Sequence, residues 1–235
     1  MAQISLQVPL QITPRLVYSP RNFVAHNGVQ QILRAFENAL SCANFSIFYI
    51  HGVARNGKTH LAIKLAELAA NSGRYPRLIE GGEMPTWLAE RSLNPALSPN
   101  EILIFDDSQL YFLGIAPGQS GPWVELVESL RVQAAVIVVV SSVPLSELAC
   151  DDHVMSRLRS AQCWKIEDPE ESELINVIEQ IGIQRGIKLS PRKISFLIKR
   201  LGRTIPEIER FYERAESLSQ VLGRSMVLPV LADAI

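Results

Sequence analysis

Gly52-Val53-Ala54-Arg55-Asn56-Gly57-Lys58-Thr59 is an ungapped match to G-x-x-x-x-G-K-T, and its reading decides the fold. The glycines permit a tight loop whose backbone N–H groups face phosphate oxygens. Lys58 reaches β- and γ-phosphates, and Thr59 offers a hydroxyl to Mg²⁺. The flanking sequence has the form this loop requires. Ser46 to His51 (SIFYIH) is short, β-branched and aromatic, as a buried strand is, and KTHLAIKLAELAANSG after the loop is a helix that stops near Ser72 and Gly73. The N-terminus of that helix adds its partial positive charge.

Further strands follow at Pro76 to Glu80, Glu101 to Asp107, Ala134 to Ser141 and Gln162 to Ile166, with helical segments between them at Pro85 to Arg91 and Trp123 to Leu130. Ahead of the loop, Val29, Ile32, Leu33, Phe36 and Leu40 recur at helical spacing. Strands that are apolar throughout and alternate with helices imply an α/β fold: a parallel five-stranded sheet flanked by helices on both faces. From Pro169 the pattern turns helical. We expect one helix from Pro169 to Gly186, a second from Ser190 to Leu201, a third from Pro206 to Leu222, and a strand or helix over Ser225 to Ile235. The domains expected are an extended segment over 1–20, a nucleotide-binding domain over 21–167 and a small helical domain over 168–235.

A phosphate loop needs an acidic partner at the end of another buried strand. Asp106 and Asp107 follow Ile102-Leu103-Ile104-Phe105; Asp106 is placed to hold or flank the metal, and Asp107 to orient an attacking water. Ser141 and Ser142 end the next strand, where a polar side chain can touch the terminal phosphate. Arg157 and Arg159, in MSRLR, precede the last strand; an arginine there can act on the nucleotide of a neighbouring subunit.

The totals set limits. Apolar residues at 47% and a formal charge of -1 describe an ordinary globular chain and disfavour a strongly basic nucleic-acid surface. Cys42, Cys150 and Cys163 are too scattered for a metal cluster or disulfide framework and suit a reducing cytoplasm. The longest apolar run, Ala134 to Val140, is far below the roughly 20 residues that span a bilayer, and MAQISLQVPLQITPRL lacks the features of a signal peptide.

The loop followed by His60-Leu61-Ala62, then IFDD, a serine-ended fourth strand and SRL, together resemble the AAA+ core of the bacterial replication initiator DnaA and its relatives, with the nearest likeness to the Hda-type regulatory inactivators of that initiator. Phe23-Val24 and Asn27 resemble the initiator's opening segment beside the adenine. Met155-Ser156-Arg157-Leu158, with Gln162, Trp164 and Lys165, resembles its arginine-finger segment, which sets the finger on Arg157. Leu228-Pro229-Val230 is similar to the Hda ending, and Gln3-Ile4-Ser5-Leu6-Gln7-Val8 to the Hda peptide that binds the replicative sliding clamp. Gln3, Ile4, Leu6 and Val8 also suit an extended docking peptide on their own chemistry.

This resemblance implies ADP or ATP and Mg²⁺ at Gly52, Asn56, Gly57, Lys58, Thr59, His60, Asp106 and Ser142. It implies the initiator and the clamp (through Gln3, Ile4, Ser5, Leu6 and Val8) as partners, homo-oligomerisation, and stimulated hydrolysis of the initiator's ATP. The sequence stops where the helical lid ends, so neither duplex-specific DNA binding nor a membrane association is expected. Two departures touch nucleotide sensing. The lid arginine of the family is replaced by Pro206, with Arg203 three residues earlier, and Ser142-Val143-Pro144-Leu145 stands in place of the family's Asp-Arg-Pro-Pro. A self-contained ATPase of the helicase-loader type and a non-catalytic adaptor remain as alternatives.

Overall fold

The computed structural model describes residues 23–42, 44–93, 100–116, 118–133, 135–223 and 226–235. Among these the chain divides into two compact units, one ending at Glu170 and the other running from Glu171 to Ile235. Gln3 to Val8, the expected docking peptide, lies outside the described residues.

The first unit contains β1 (Ser46–His51), β2 (Tyr75–Glu80), β3 (Glu101–Asp106), β4 (Val136–Ser141) and β5 (Gln162–Lys165), all parallel, in the order β2-β3-β4-β1-β5. Every residue of β3 and β4 is buried. That follows from covering both faces, and the side-chain alternation of a strand assigns each residue to a face. Ile47, Tyr49, Leu103, Phe105, Ile137 and Val139 pack under α3 (Met84–Leu93), α5 (Gly121–Val132) and α6 (Asp152–Leu158). Phe48, Ile50, Ile102, Ile104, Val138 and Val140 pack under α1 (Asn27–Ser41) and α2 (Lys58–Asn71). A one-turn helix, α4 (Gln109–Phe112), follows β3 and was not legible from periodicity because it is too short to have one.

The second unit is helical: α7 (Leu174–Gln184), α8 (Pro191–Ile198), α9 (Ile205–Leu222) and α10 (Leu228–Asp233). The C-terminal segment is thus a helix. One start differs from expectation. The first helix begins at Leu174 after a 3-10 turn at Glu171–Glu173, not at Pro169, which is buried. Ser190 does precede α8, but its hydroxyl makes no capping hydrogen bond. Arg185, 3% exposed, is held by Glu216 at 3.1 Å and Glu213 at 3.6 Å.

α9 opens with a capping box: Thr204 Oγ1 accepts from the Glu207 N–H, and Glu207 accepts from the Thr204 N–H. These bonds satisfy two otherwise orphaned donors. Thr204→Ala is therefore expected to destabilise this unit by about 1 kcal/mol, read from a urea melt of the helical signal. Its hydrogen bonds with Thr204 hold the Glu207 carboxyl below its ordinary value. The contribution is in place above the ordinary glutamate pKa of about 4.3 and is lost as pH falls through the lowered folded value. Among the described residues no helix is long and apolar enough to cross a membrane.

Candidate functional site

The carboxyl ends of parallel strands are where open α/β sheets bind ligands, and the expected residues collect there. β1 stops at His51, and the Gly52 N–H donates to Ser141 O at the end of neighbouring β4, 3.2 Å away. The loop then turns through two left-handed residues, Arg55 at φ 65° and Gly57 at φ 89°. Only glycine takes the second without strain, and such turns direct successive N–H groups into one concavity.

Asn56 explains Gly52. A Cβ at Gly52 would fall 2.2 Å from Asn56 Nδ2, because the Asn56 side chain is folded under the loop. There it is buried, with Nδ2 donating to Ile166 O at 3.5 Å. Its Oδ1 is buried with no hydrogen-bond partner among the described residues. The Asn56 side chain thus shapes the loop from beneath.

Lys58 opens α2. Its ammonium is buried and donates to Gly52 O at 3.0 Å and Val53 O at 2.8 Å. Burial lowers its pKa, and the charges of Asp107 and then Asp106 oppose that shift. Both carboxylates therefore lie near the ammonium. The Thr59 hydroxyl lies beside the Asp106 carboxylate, whose pKa burial raises and Thr59 opposes. His60, one residue on, is partly buried, and burial keeps its imidazole below the ordinary value, hence neutral at pH 7.

Asp107 has a left-handed backbone at φ 47°, unusual for a non-glycine residue. The chain packs closely at this point. A Cβ at Gly81, which follows β2, would meet the Asp107 carbonyl oxygen at 2.1 Å, and the Gly81 N–H donates to Asp106 O at 2.7 Å. Asp107 Oδ1 accepts from Gln109 Nε2 at 3.2 Å, and Gln109 Oε1 accepts from the Ser142 N–H at 3.0 Å. Sequence reading missed Gln109; the available signal was its position two residues past the acidic pair. At the end of β4, Ser141 is fully buried, with its hydroxyl accepting from the Val143 N–H at 3.0 Å, while Ser142 is exposed.

Lys58, Thr59, Asp106, Asp107 and Ser142 thus lie at the carboxyl ends of the internal strands β1, β3 and β4 or in the segments that follow them. Arg157 is not among them. Near the end of α6, its guanidinium pairs with Glu128 of α5 at 3.2 Å and donates to Ser156 Oγ and His153 O. Arg159 is exposed. In the helical unit, Arg203 forms an exposed ion pair with Glu171 at 2.9 Å. Among the described residues no three or more His, Cys, Asp or Glu side chains converge in a metal-binding group.

No protein-family model and no curated protein matches the sequence. Solved structures do match. Domain III of the Thermotoga maritima replication initiation protein DnaA is 18% identical with a TM-score of 0.70, covering 93% of this chain and 95% of that one. AMPPCP-bound DnaA from Aquifex aeolicus is 17% identical with a TM-score of 0.66, covering 92% and 68%. The Thermotoga maritima RuvB Holliday junction branch migration motor is 14% identical with a TM-score of 0.60, covering 88% and 67%. The chain has the AAA+ P-loop fold that these proteins share.

Proposed function

We propose that this chain binds ADP or ATP with Mg²⁺ at Gly52 to Thr59 and acts in the control of replication initiation. The observation that carries the nucleotide reading is the convergence of a buried ammonium, a hydroxyl and a carboxylate, from Lys58, Thr59 and Asp106, beside a loop of left-handed turns. These groups fit a phosphate chain with a divalent ion. Lys58 is neutralised by phosphate oxygens in exchange for the two loop carbonyls. Thr59 and Asp106 are the residues that would hold Mg²⁺, which supplies neutralising charge between phosphate oxygens. The fold supports the same reading, since an initiator of this fold was solved with AMPPCP bound.

The finer part of the proposal is an Hda-type role: regulatory inactivation of DnaA. Gln3 to Val8 docks on the sliding clamp, and Arg157 is presented in trans to ATP on an initiator subunit. That ATP is hydrolysed when water attacks the γ-phosphorus and the bond to ADP breaks; a guanidinium placed there stabilises the charge on the group being transferred. Arg157 is half-way prepared for this task, since its bond to Glu128 is a partly solvated one that a phosphate can replace. Support comes from the sequence segments at Gln3 to Val8 and Met155 to Leu158 and from the DnaA-like fold. Homo-oligomerisation through the same surface belongs to this proposal.

The test mixes the protein and DNA-loaded clamp with ATP-bound initiator and follows loss of ATP. Arg157→Ala is expected to lower the stimulated rate by on the order of 10³-fold while this chain's own ADP affinity stays at the parental value. An Arg157→Ala protein as effective as the parent would remove the finger from the proposal. The second reading, an ATPase acting on its own nucleotide, is favoured by the strained Asp107 beside the Lys58 ammonium. Turnover by the isolated protein that disappears in Lys58→Ala would establish it.

A further inference from the structure

Gln109 lies at the start of α4 and belongs neither to the phosphate loop nor to the acidic pair, yet it spans the ends of two adjacent strands. Its Nε2 donates to Asp107 Oδ1 at 3.2 Å, and its Oε1 accepts from the Ser142 N–H at 3.0 Å. Ser142 follows β4 directly, and Asp107 follows β3 directly. A primary amide is the side chain that can donate to a carboxylate and accept from a backbone N–H at once. Asn, one methylene shorter, lacks the reach for both. We propose that Gln109 is a positioning residue that tethers the Asp107 carboxylate to the end of β4, and so decides whether the site accepts a third phosphate; this rests on the nucleotide reading above.

The chemistry is charge repulsion. Asp107 stands near enough to Lys58 for its charge, like that of Asp106, to act on that ammonium. Lys58 is the group that meets the outer phosphates. A carboxylate free to turn toward it would oppose the negative charge of a terminal phosphate. The Gln109 amide prevents this by fixing the carboxylate and sharing its charge with an N–H donor. The backbone adds to the need for a tether, since Asp107 is held at φ 47° against its own preference. Gln109 would thus discriminate between ATP and ADP without touching the phosphates common to both.

The experiment compares parent, Gln109→Leu and Gln109→Glu by calorimetric titration with Mg-ATP and with ADP. Leucine keeps the bulk and removes both hydrogen bonds. Glutamate keeps the bond from Ser142 but cannot donate to Asp107, and sets a like charge beside it. Both variants are expected to bind ATP more weakly by about fivefold or more, a coupling of ordinary size, with ADP affinity unchanged and the glutamate variant the weaker of the two. A mere packing role would move ADP and ATP together, and that result overturns the proposal, as does an unchanged ratio in either variant. If the leucine variant does not fold, the glutamate variant alone decides. Failure of the parent to bind ADP would instead strike at the nucleotide reading, so the two failures are distinguishable.

Discussion

Lys58→Ala is expected to weaken ADP and ATP binding by about 100-fold or more, the equivalent of ~3 kcal/mol of charge-assisted hydrogen bonding. Backbone N–H groups of the loop remain in the variant, so the loss measures the ammonium alone. The fold should survive. The ammonium is buried against two carbonyls, and burial already lowers its pKa, so its removal relieves a desolvated charge as well as deleting two bonds. Equal melting temperatures for parent and variant without nucleotide, together with loss of the stabilisation that added nucleotide gives the parent, would be the full expected result. A variant that binds nucleotide like the parent would move the phosphate site elsewhere.

Phe105→Ala is expected to destabilise the first unit by about 3–5 kcal/mol and to lower its melting temperature by on the order of 10 °C. The ring is fully buried on the internal strand β3. It meets Trp87 of α3 edge-on at 5.7 Å and Trp123 of α5 at 5.6 Å, and Trp123 packs in turn on Phe112 at 5.0 Å. Truncation leaves a cavity that these large rings cannot collapse to fill. Phe105 also precedes Asp106, so looser packing should reach the site. Nucleotide affinity measured well below the melting transition should fall as well, by less than in Lys58→Ala. A denaturation midpoint close to the parent's would mean that the aromatic cluster contributes little.

The phosphate loop was legible because its chemistry is local. Glycines, lysine and threonine lie in one run, and the preceding strand and following helix flank it. Asp106 and Asp107 were legible for the related reason that a run of four apolar residues before an acidic pair defines a strand end. Strand order was not legible. Placing β4 between β1 and β3 depends on crossovers of many residues, and no single stretch encodes it. Gln109 was missed because its two partners come from different strand ends, which meet only after folding. Asn56 belongs to the loop whose backbone N–H groups are expected to face phosphate, and the loop pattern gave no sign that its side chain packs against Gly52 and Ile166. The first helix of the second unit starts later than Pro169 suggests: proline fits a first helical position, but a 3-10 turn at Glu171–Glu173 intervenes before Leu174.

Calorimetric titration of the intact protein with ADP, and with ATP in the presence and absence of Mg²⁺, tests the central claim most directly. A phosphate loop with Lys58, Thr59 and Asp106 in the arrangement described should bind one nucleotide per chain, with ATP affinity raised by the metal. Heat signals no larger than those of buffer at millimolar nucleotide, or binding that is retained in full by Lys58→Ala, would contradict it.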